Sequence, residues 1–278
     1  MNAHTQQIQP PPPISTLPAV HFVDPYLLNP TNPITVNVIG AGGTGSHVMT
    51  VLGALEEALR AWGHPGLQVT AFDDDEITVS NMGRQAFFRS EIGQNKAVAI
   101  VTRINRHIGT RWQASKLRWK KTNKEALRGA VRANLTISCV DRPETRFDIE
   151  TLLGRPGGGH GPDNPLYWID FGNSRYTGQV LLSTRRDIKQ PPLEGYHGVG
   201  YLPSVTRQYE DLLYAATDSD EPSCSMLEAL NRQSLFINRS LASVGGMLLE
   251  NLFRQSILDS KGFFLNLSDG VMRPIPIG

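Results

Sequence analysis

Residues 34–45 read ITVNVIGAGGTG, and this stretch decides the fold of the 278-residue chain. Ile34–Ile39 is a short, mostly apolar and β-branched run, which is typical of a buried parallel strand. Glycines follow it at once, and apolar residues then recur at helical spacing over residues 46–62. Because a strand, a glycine turn and a helix in this order present backbone N–H groups at a helix N-terminus, the stretch predicts an anion-binding βα unit.

The glycine turn alone does not identify its ligand. Gly40, Gly42, Gly43 and Gly45 are the candidate binding positions, because glycine lets a phosphate approach the backbone closely. The pattern is compatible with NAD, FAD or ATP, and also with a tight turn that binds nothing. Residues farther along the chain have to separate these alternatives.

A run of carboxylates follows the second predicted strand, Leu67–Phe72. Asp73 stands directly after the strand, where a carboxylate can accept both hydroxyls of a ribose, and Asp75 is a further binding candidate. The spacing from Gly40 exceeds the ~20 residues of a minimal dinucleotide fingerprint, which fits a longer intervening helix. Asp73 as a simple cap or turn residue stays open as an alternative.

Cationic and amide side chains follow between residues 80 and 96. Arg84 offers a rigid fork of donors for phosphate oxygens, and Asn81 and Gln85 can orient neighbouring groups. Lys96, on a helix predicted over residues 92–108, supplies a point charge for negative charge that develops on a phosphoryl group. Hydride transfer needs no such cations, so the combination favours a nucleotide that is cleaved.

Asp141 directly follows a third predicted strand, residues 135–140. In open α/β folds, ligands bind at the carboxyl edge of the sheet. A carboxylate at this edge can hold Mg²⁺ against a triphosphate, with water molecules completing the coordination. The competing interpretation is that Asp141 caps the following helix, and both roles are compatible.

The order of the predicted elements indicates an α/β fold with a Rossmann-like, doubly wound and mainly parallel sheet and an antiparallel C-terminal extension. We expect three parts: a loose proline-rich arm over residues 1–33, a nucleotide-binding half over 34–153, and a C-terminal half of the same domain over 154–278.

Several further elements are expected on either side of residue 153. In the first half these are a strand at 117–120 and a short helix at 124–131. In the second half they are strands at 166–171 and 177–184, long helices within 227–259, and a final hairpin of 263–267 and 271–275.

Four motifs in this order resemble the ThiF/MoeB/E1 ubiquitin-activating superfamily: GAGGTG, D-x-D-x-(I/V)-x-x-S-N-x-x-R-Q, G-x-x-K-A and a strand-end aspartate. The resemblance covers residues 34–146 strongly and the rest loosely. The later segment 222–238 is similar to a bacterial ThiF-like branch found with mobile elements and plasmids, the ThiF-like branch of the PRTRC system.

The resemblance implies an adenylyltransferase that uses ATP and Mg²⁺, is a homodimer, and activates the C-terminal carboxylate of a ubiquitin-like or sulfur-carrier protein. By position it assigns the ribose to Asp73 and Mg²⁺ to Asp141. It assigns the phosphates to four side chains: Asn81, Arg84, Gln85 and Lys96. A Rossmann NAD(P)-dependent oxidoreductase and a non-catalytic nucleotide-binding module are the alternatives.

Two features depart from many bacterial relatives in that superfamily. With two cysteines in the chain, the paired C-x-x-C motifs of a structural zinc are missing, so no zinc is expected. In relatives, an arginine just before the first strand often completes the partner subunit's ATP site. No arginine precedes Arg60 here, so that residue has no counterpart.

The cysteines also bear on catalysis. Cys224, in Pro-Ser-Cys-Ser before a predicted helix, is the candidate to accept the activated carboxyl as a thioester, because a helix N-terminus can lower the pKa of its thiol. An ordinary small residue near a helix cap is the alternative. Cys139 lies in an apolar run and is expected in the core.

Composition argues against several functional classes. The chain has 27 Lys+Arg against 26 Asp+Glu, which gives no electrostatic case for a nucleic-acid or membrane partner, and the basic run at 103–132 is interpreted as a solvated face. Neither a signal-peptide pattern nor an apolar run of ~20 residues occurs. Together with the few cysteines, this predicts a soluble cytoplasmic protein.

Overall fold

The computed structural model describes residues 17–154, 164–215 and 233–278, and an eight-stranded sheet forms its centre. The described strands are β1 (Ala19–Phe22), β2 (Ile34–Ile39), β3 (Leu67–Phe72), β4 (Gln113–Ser115), β5 (Leu135–Ser138), β6 (Tyr167–Asn173), β7 (Thr177–Thr184), β8 (His197–Gly198), β9 (Ile257–Leu258), β10 (Ser260–Asn266) and β11 (Val271–Pro276). The described helices are α1 (Pro25–Leu28), α2 (Gly43–Ala61), α3 (Lys96–Ile108), α4 (Pro143–Leu153), α5 (Val205–Gln208), α6 (Glu210–Ala215) and α7 (Ile237–Arg254).

Five strands form the parallel part of the sheet, in the order β4-β3-β2-β5-β6. The chain runs from central β2 outward to β3 and β4 on one side, and then returns to β5 and β6 on the other. Strand order therefore reverses between β2 and β5. The crevice at the carboxyl ends of these two strands is the position where open α/β sheets bind ligands.

Beyond β6 the sheet becomes antiparallel, through β7, β10 and β11. The β6–β7 hairpin pairs its strands from Tyr167 opposite Thr184 to Asn173 opposite Gly178. The final hairpin, β10–β11, closes with Asn266 opposite Val271. The predicted fold class, a mainly parallel doubly wound sheet with an antiparallel C-terminal extension, is confirmed.

Helices cover both faces of the large sheet, and strand side chains alternate between the two faces. Val38 and Ala71 pack into the core that contains residues of α2, α3 and α7, whereas their neighbours Ile39 and Phe72 pack into the core on the α4 side. Burial on both faces explains why these strands are nearly continuous apolar runs.

The described part of the N-terminal arm is packed rather than loose. β1 pairs with β8 and β9, and α1 places Leu27 in the core, together with Val20 and Val23 from the same segment. Asp24 forms a buried ion pair with Arg186 at 2.6 Å. The prolines suggested a loose arm, but the apolar residues between them contact elements far along the chain.

Three element predictions in the first half are corrected by the structure. Residues 117–120 are not a strand, because the edge position of the sheet is taken by β4. The helix expected at 124–131 is replaced by turns that lead into a 3₁₀ turn at Ala130–Arg132. α3 begins at Lys96 rather than at 92, because Asn95 caps it and accepts a hydrogen bond from the N–H of Val98.

Other boundaries are close to the predictions. The helix predicted over 46–62 begins earlier, at Gly43, so the last glycines of the turn belong to its first turn. Of the helices predicted within 227–259, the described part is α7. Cys224 lies outside the described residues.

A buried ion pair joins α4 to β6. The Nε of Arg146 lies 3.0 Å from both carboxylate oxygens of Asp170, and the two side chains are 6% and 3% exposed. Ser138 donates its hydroxyl to the same carboxylate, and the indole N–H of Trp168 donates to Ser138 at 2.7 Å.

Removal of this carboxylate leaves a guanidinium buried without its counter-charge, so we expect Asp170→Ala to lower the free energy of unfolding by about 3–5 kcal/mol. Glu250→Ala, which breaks the exposed pair with Arg254, should cost no more than about 0.5 kcal/mol and serves as the control. Urea denaturation of both variants measures the difference. A loss below about 1 kcal/mol in Asp170→Ala would show that the pair is not a stabilising contact.

Candidate active site

A cavity of about 730 Å³ lies at the carboxyl ends of the parallel strands, beside the reversal between β2 and β5. It gathers most of the binding residues predicted from the sequence. The predicted residues that line it are Gly40, Gly42, Gly43, Asp73, Asp75, Arg84, Gln85, Lys96 and Asp141. Three separate connections of the chain, β2–α2, β3–α3 and β5–α4, supply them, so the fold brings together groups that are distant in sequence.

Gly45 and Asn81 do not line the cavity, and their contacts are structural. A Cβ on Gly45 would clash with the carbonyl oxygen of Gly40, so this glycine is required where α2 packs against the turn. Asn81 is buried, and its side-chain oxygen accepts hydrogen bonds from the N–H of Thr78 at 2.8 Å and from the Thr78 hydroxyl at 3.2 Å. Both residues support the loops that carry the cavity's lining.

The glycines of the turn differ in what surrounds them. Gly40 has a φ of 87°, and a Cβ there would lie 2.8 Å from the carbonyl oxygen of Cys139. A Cβ on Gly43 would lie 2.8 Å from the amide of Asn238. Gly42 has no described heavy atom within 4 Å of such a Cβ, and it lines the cavity. A side chain at Gly42 would therefore project into cavity space.

Asp73 ties the end of β3 to the glycine turn. One carboxylate oxygen accepts the N–H of Ala41 at 2.6 Å, and the other accepts the N–H of Asp75 at 2.9 Å. Burial raises the pKa of Asp73, while the nearby Lys96 ammonium and the two N–H groups act in the opposite direction. A carboxylate has about four acceptor positions, so two stay available to a ligand.

Lys96, the first residue of α3, is anchored beside the carboxylate run. Its ammonium lies 2.8 Å from the carboxylate of Asp75, and the lysine side chain is 9% exposed against 65% for the aspartate. The side-chain amide of Asn95 donates to the carbonyl oxygens of Asp73 and Asp75, at 2.8 and 3.0 Å. Asn95 was not predicted as a site residue, yet it fixes both the carboxylate run and the start of the helix.

Arg84 and Gln85 face the cavity from the loop after β3. Nη1 of Arg84 donates to the side-chain oxygen of Gln233 at 3.1 Å. The side-chain oxygen of Gln85 is buried and accepts no hydrogen bond from any described residue. A buried acceptor of this kind, in a side chain that lines a cavity, indicates a position where a ligand or water donates a hydrogen bond.

Asn238, at the start of α7, connects three parts of the cavity, and sequence reasoning did not assign it to the site. Its side-chain oxygen accepts from the hydroxyl of Thr44 at 3.0 Å and from the amide of Asn173 at 3.2 Å. Its nitrogen donates to Gln233 at 3.0 Å. The buried side chain of Asn238 is thus hydrogen-bonded to the glycine turn, to the β6–β7 hairpin and to Gln233, the acceptor of the Arg84 hydrogen bond.

One end of the cavity is apolar. Phe72, Leu117 and Trp119 line it, and the rings of Phe72 and Trp119 meet edge to face with centroids 5.5 Å apart. Arg118 lies between Leu117 and Trp119 in sequence and forms an ion pair with Asp74 at 3.6 Å. Residues 117–119 belong to the segment predicted as a strand, so the apolar pattern there marks the cavity wall.

Asp141 lies at the cavity wall just beyond β5, and it does not cap α4. The N-cap of α4 is Arg142, and no side chain caps the helix by a hydrogen bond. Arg146 donates to the backbone carbonyl of Asp141 at 3.4 Å. Through Arg146, the buried ion pair with Asp170 helps to position this loop.

The fit of Mg²⁺ can be tested on the carboxylates. Asp73, Asp74 and Asp75 place ligand atoms within 4.8 Å of one another, but Asp73 is engaged by backbone N–H groups and Asp75 by Lys96. The exposed carboxylate of Asp141 makes no hydrogen bond or ion pair with the described residues. An open oxygen ligand with space for water fits Mg²⁺, so Asp141 fits the predicted role best.

Cys139 lies at the cavity wall beyond the end of β5, not inside the strand as predicted. Burial raises the pKa of its thiol far above the ordinary value, so the thiol stays protonated at neutral pH. Cys139 is therefore not a nucleophile in this environment.

A glycine turn at the reversal of a doubly wound sheet, followed by an antiparallel extension, is consistent with the E1-like class of adenylation folds. The chain belongs to the ThiF family, whose model matches residues 31–254.

Solved structures with a similar fold include MccB of E. coli and PaaA. MccB has a TM-score of 0.55 at 14% identity, over 91% of this chain and 63% of its own. PaaA has a TM-score of 0.55 at 14% identity, over 88% of this chain and 73% of its own. A structure of E. coli MccB with ATP has a TM-score of 0.51 at 14% identity, over 91% and 65% of the two chains.

At such identities the likeness shows the fold, and this chain spans less than two thirds of the length of MccB. A comparison with proteins of curated function finds no match. Among the helices that the structure describes, none is long and apolar enough to cross a membrane.

The environments of two glycines give a stability test. Gly45→Ala places a methyl group against the Gly40 carbonyl, and we expect it to cost about 3 kcal/mol. Gly129→Ala, where a Cβ meets no described atom within 4 Å and the backbone already has φ −74° and ψ −42°, should change the free energy of unfolding by less than about 1 kcal/mol. Urea denaturation compares the two, and equal losses would contradict the described geometry of the turn.

Proposed function

We propose that this protein adenylates the C-terminal carboxylate of a small peptide or protein, using ATP and releasing pyrophosphate. One observation carries the proposal: a single cavity holds the glycine turn, the carboxylate of Asp73, the cations Arg84 and Lys96, and the open carboxylate of Asp141. Membership of the ThiF family supports it, as does the similarity to the structures of E. coli MccB with ATP and of the microcin C7 biosynthetic enzyme MccB with N-formylated MccA.

In this proposal the two ends of the cavity bind different parts of ATP. The apolar wall of Phe72, Leu117 and Trp119 holds the base, and Asp73 accepts the ribose hydroxyls with its remaining lone pairs. The backbone at Gly42 lies against the α-phosphate, where the absence of a side chain leaves the space that a phosphate needs.

Arg84 and Lys96 stabilise the charge that develops during the reaction, and Gln85 accepts a hydrogen bond from the bound substrate. Asp141 would hold Mg²⁺, which neutralises phosphate charge and orients the leaving group when it is bound. The contact with Asp75 keeps the Lys96 ammonium in place before ATP arrives, so little reorganisation is needed.

The reaction needs no protein nucleophile. A carboxylate oxygen of the acyl substrate forms a bond to the α-phosphorus, the bond to the oxygen bridging to the β-phosphate breaks, and pyrophosphate leaves with that electron pair. The products are an acyl-adenylate and pyrophosphate. Rate enhancement comes from positioning and from electrostatic stabilisation of the transition state.

The acyl substrate that we propose is a ubiquitin-like or sulfur-carrier protein, and a short peptide like the MccA of the MccB structures belongs to the same chemical class. Assignment to the PRTRC branch, a homodimer and thioester formation at Cys224 belong to the proposal on the strength of the sequence resemblance alone. Hydride transfer by an oxidoreductase would not need the cations Arg84 and Lys96, which argues against that alternative.

The proposal predicts substrate-dependent exchange of pyrophosphate into ATP. With small β-grasp proteins and short peptides encoded near the gene as substrates, we expect Arg84→Ala and Asp141→Ala each to lower exchange by about 100-fold or more. Arg128→Ala changes an exposed cation outside the cavity and should leave exchange unchanged.

Circular dichroism of each variant confirms folding. Exchange that is unchanged in Arg84→Ala or Asp141→Ala removes that residue from the mechanism. Binding of NAD(H) by a wild-type protein that fails to bind ATP would overturn the proposed function as a whole.

A further inference from the structure

We propose that Arg175, on the β6–β7 hairpin, binds the β- and γ-phosphates of ATP and the pyrophosphate that leaves. This inference rests on the proposed function, because it adds a residue to the same site. No sequence motif pointed to Arg175, which is separated from the cationic loop of Arg84 by some 90 residues of chain.

The cations of the cavity differ in how they are engaged. Lys96 contacts Asp75 at 2.8 Å, Arg118 contacts Asp74 at 3.6 Å, and Arg84 donates to Gln233. The guanidinium of Arg175 makes no ion pair or hydrogen bond with the described residues, and its described contact is with the ring of Tyr176, 5.1 Å from the centroid. Stacking on a ring supports a guanidinium and leaves its donors open.

The hairpin that carries Arg175 is anchored on several sides. Ser174 and Thr177 are hydrogen-bonded through both backbone and side chains, at 2.9 and 2.6 Å. The carbonyl of Arg175 accepts the N–H of Ser234 at 3.0 Å, and the carbonyl of Tyr176 accepts the N–H of Leu267 at 2.9 Å. The backbone of Arg175 is therefore fixed before any ligand binds.

The anchoring contacts also show which end of the cavity Arg175 shares. Ser234, whose N–H donates to Arg175, follows Gln233, and Gln233 accepts a hydrogen bond from Arg84. Asn173 of the same hairpin donates to Asn238, which also accepts a hydrogen bond from Thr44 of the glycine turn. Arg175 is thus tied to the elements assigned to phosphate. The elements assigned to the base, Phe72 and Trp119, lie on the β3–β4 side.

The exposure of Arg175 decides which phosphates it meets. The α-phosphate is assigned to the half-buried glycine turn, so an exposed side chain at the same end lies toward the outer phosphates. A guanidinium binds two phosphate oxygens at once, and it offsets the charge that pyrophosphate gains as it leaves. Arg142, the other cavity cation without a described contact, lies on the β5–α4 connection, and no hydrogen bond of the described residues joins that connection to Ser234 or Asn238, as those of the hairpin do.

Calorimetric titration of the full chain with MgATP, AMP and magnesium pyrophosphate tests the inference without the acyl substrate. We expect Arg175→Gln to weaken binding of MgATP and pyrophosphate about 5- to 30-fold, the range of a charge-assisted contact at an exposed position. Binding of AMP, which has neither outer phosphate, should stay within about twofold. Arg175→Lys keeps the charge but not the fork, and should recover part of the affinity.

The matched control is Arg111→Gln, an exposed arginine outside the cavity, which should bind all three ligands like wild type. Unchanged binding of MgATP in Arg175→Gln overturns the inference and leaves the proposed function intact. So does an equal loss for AMP, which would place the residue at the α-phosphate or show a structural defect. A wild-type protein that does not bind MgATP overturns both.

Discussion

The hydrogen bond from the N–H of Ala41 to the carboxylate of Asp73 is the contact on which the candidate site depends. At 2.6 Å it joins the glycine turn after β2 to the end of the neighbouring strand β3, and both connections line the cavity. Burying this carboxylate costs free energy, and the raised pKa of Asp73 reflects that cost. Backbone N–H groups and the Lys96 ammonium offset it, so the site's charges support one another before a ligand arrives.

The sequence predicted the parallel strands well, because strands buried on both faces leave an unambiguous apolar run between turn residues. It failed where tertiary contacts override local pattern. Residues 117–120 have the composition of a strand, but their apolar side chains line the cavity and the core on the α4 side. The prolines of the arm suggested a loose segment, yet Leu27 is fully buried because residues far along the chain cover it.

The site residues show the same contrast between local sequence pattern and tertiary contact. Residues within the motif of 73–96 could be found from residue type and spacing, because the motif lies in one continuous stretch of the chain. Asn238 could not, because its hydrogen bond to Thr44 joins residues 194 positions apart. Asn95 lies inside the motif, but its side chain acts on the backbone of the carboxylate run, which residue type and spacing do not reveal.

Motif membership and contact with a ligand are therefore different properties in this fold. Asn81 and Gly45 belong to the motifs, but they hold loops and helices together away from the cavity. Asp141 and Arg175 are exposed side chains, and the carboxylate of one and the guanidinium of the other make no ion pair or hydrogen bond with the described residues. An open group on an anchored backbone binds a substrate without breaking a contact with the protein. Most motif residues thus belong to the framework of the site. That framework positions a few exposed charged groups, among them Asp141 and Arg175, which stay available to a ligand.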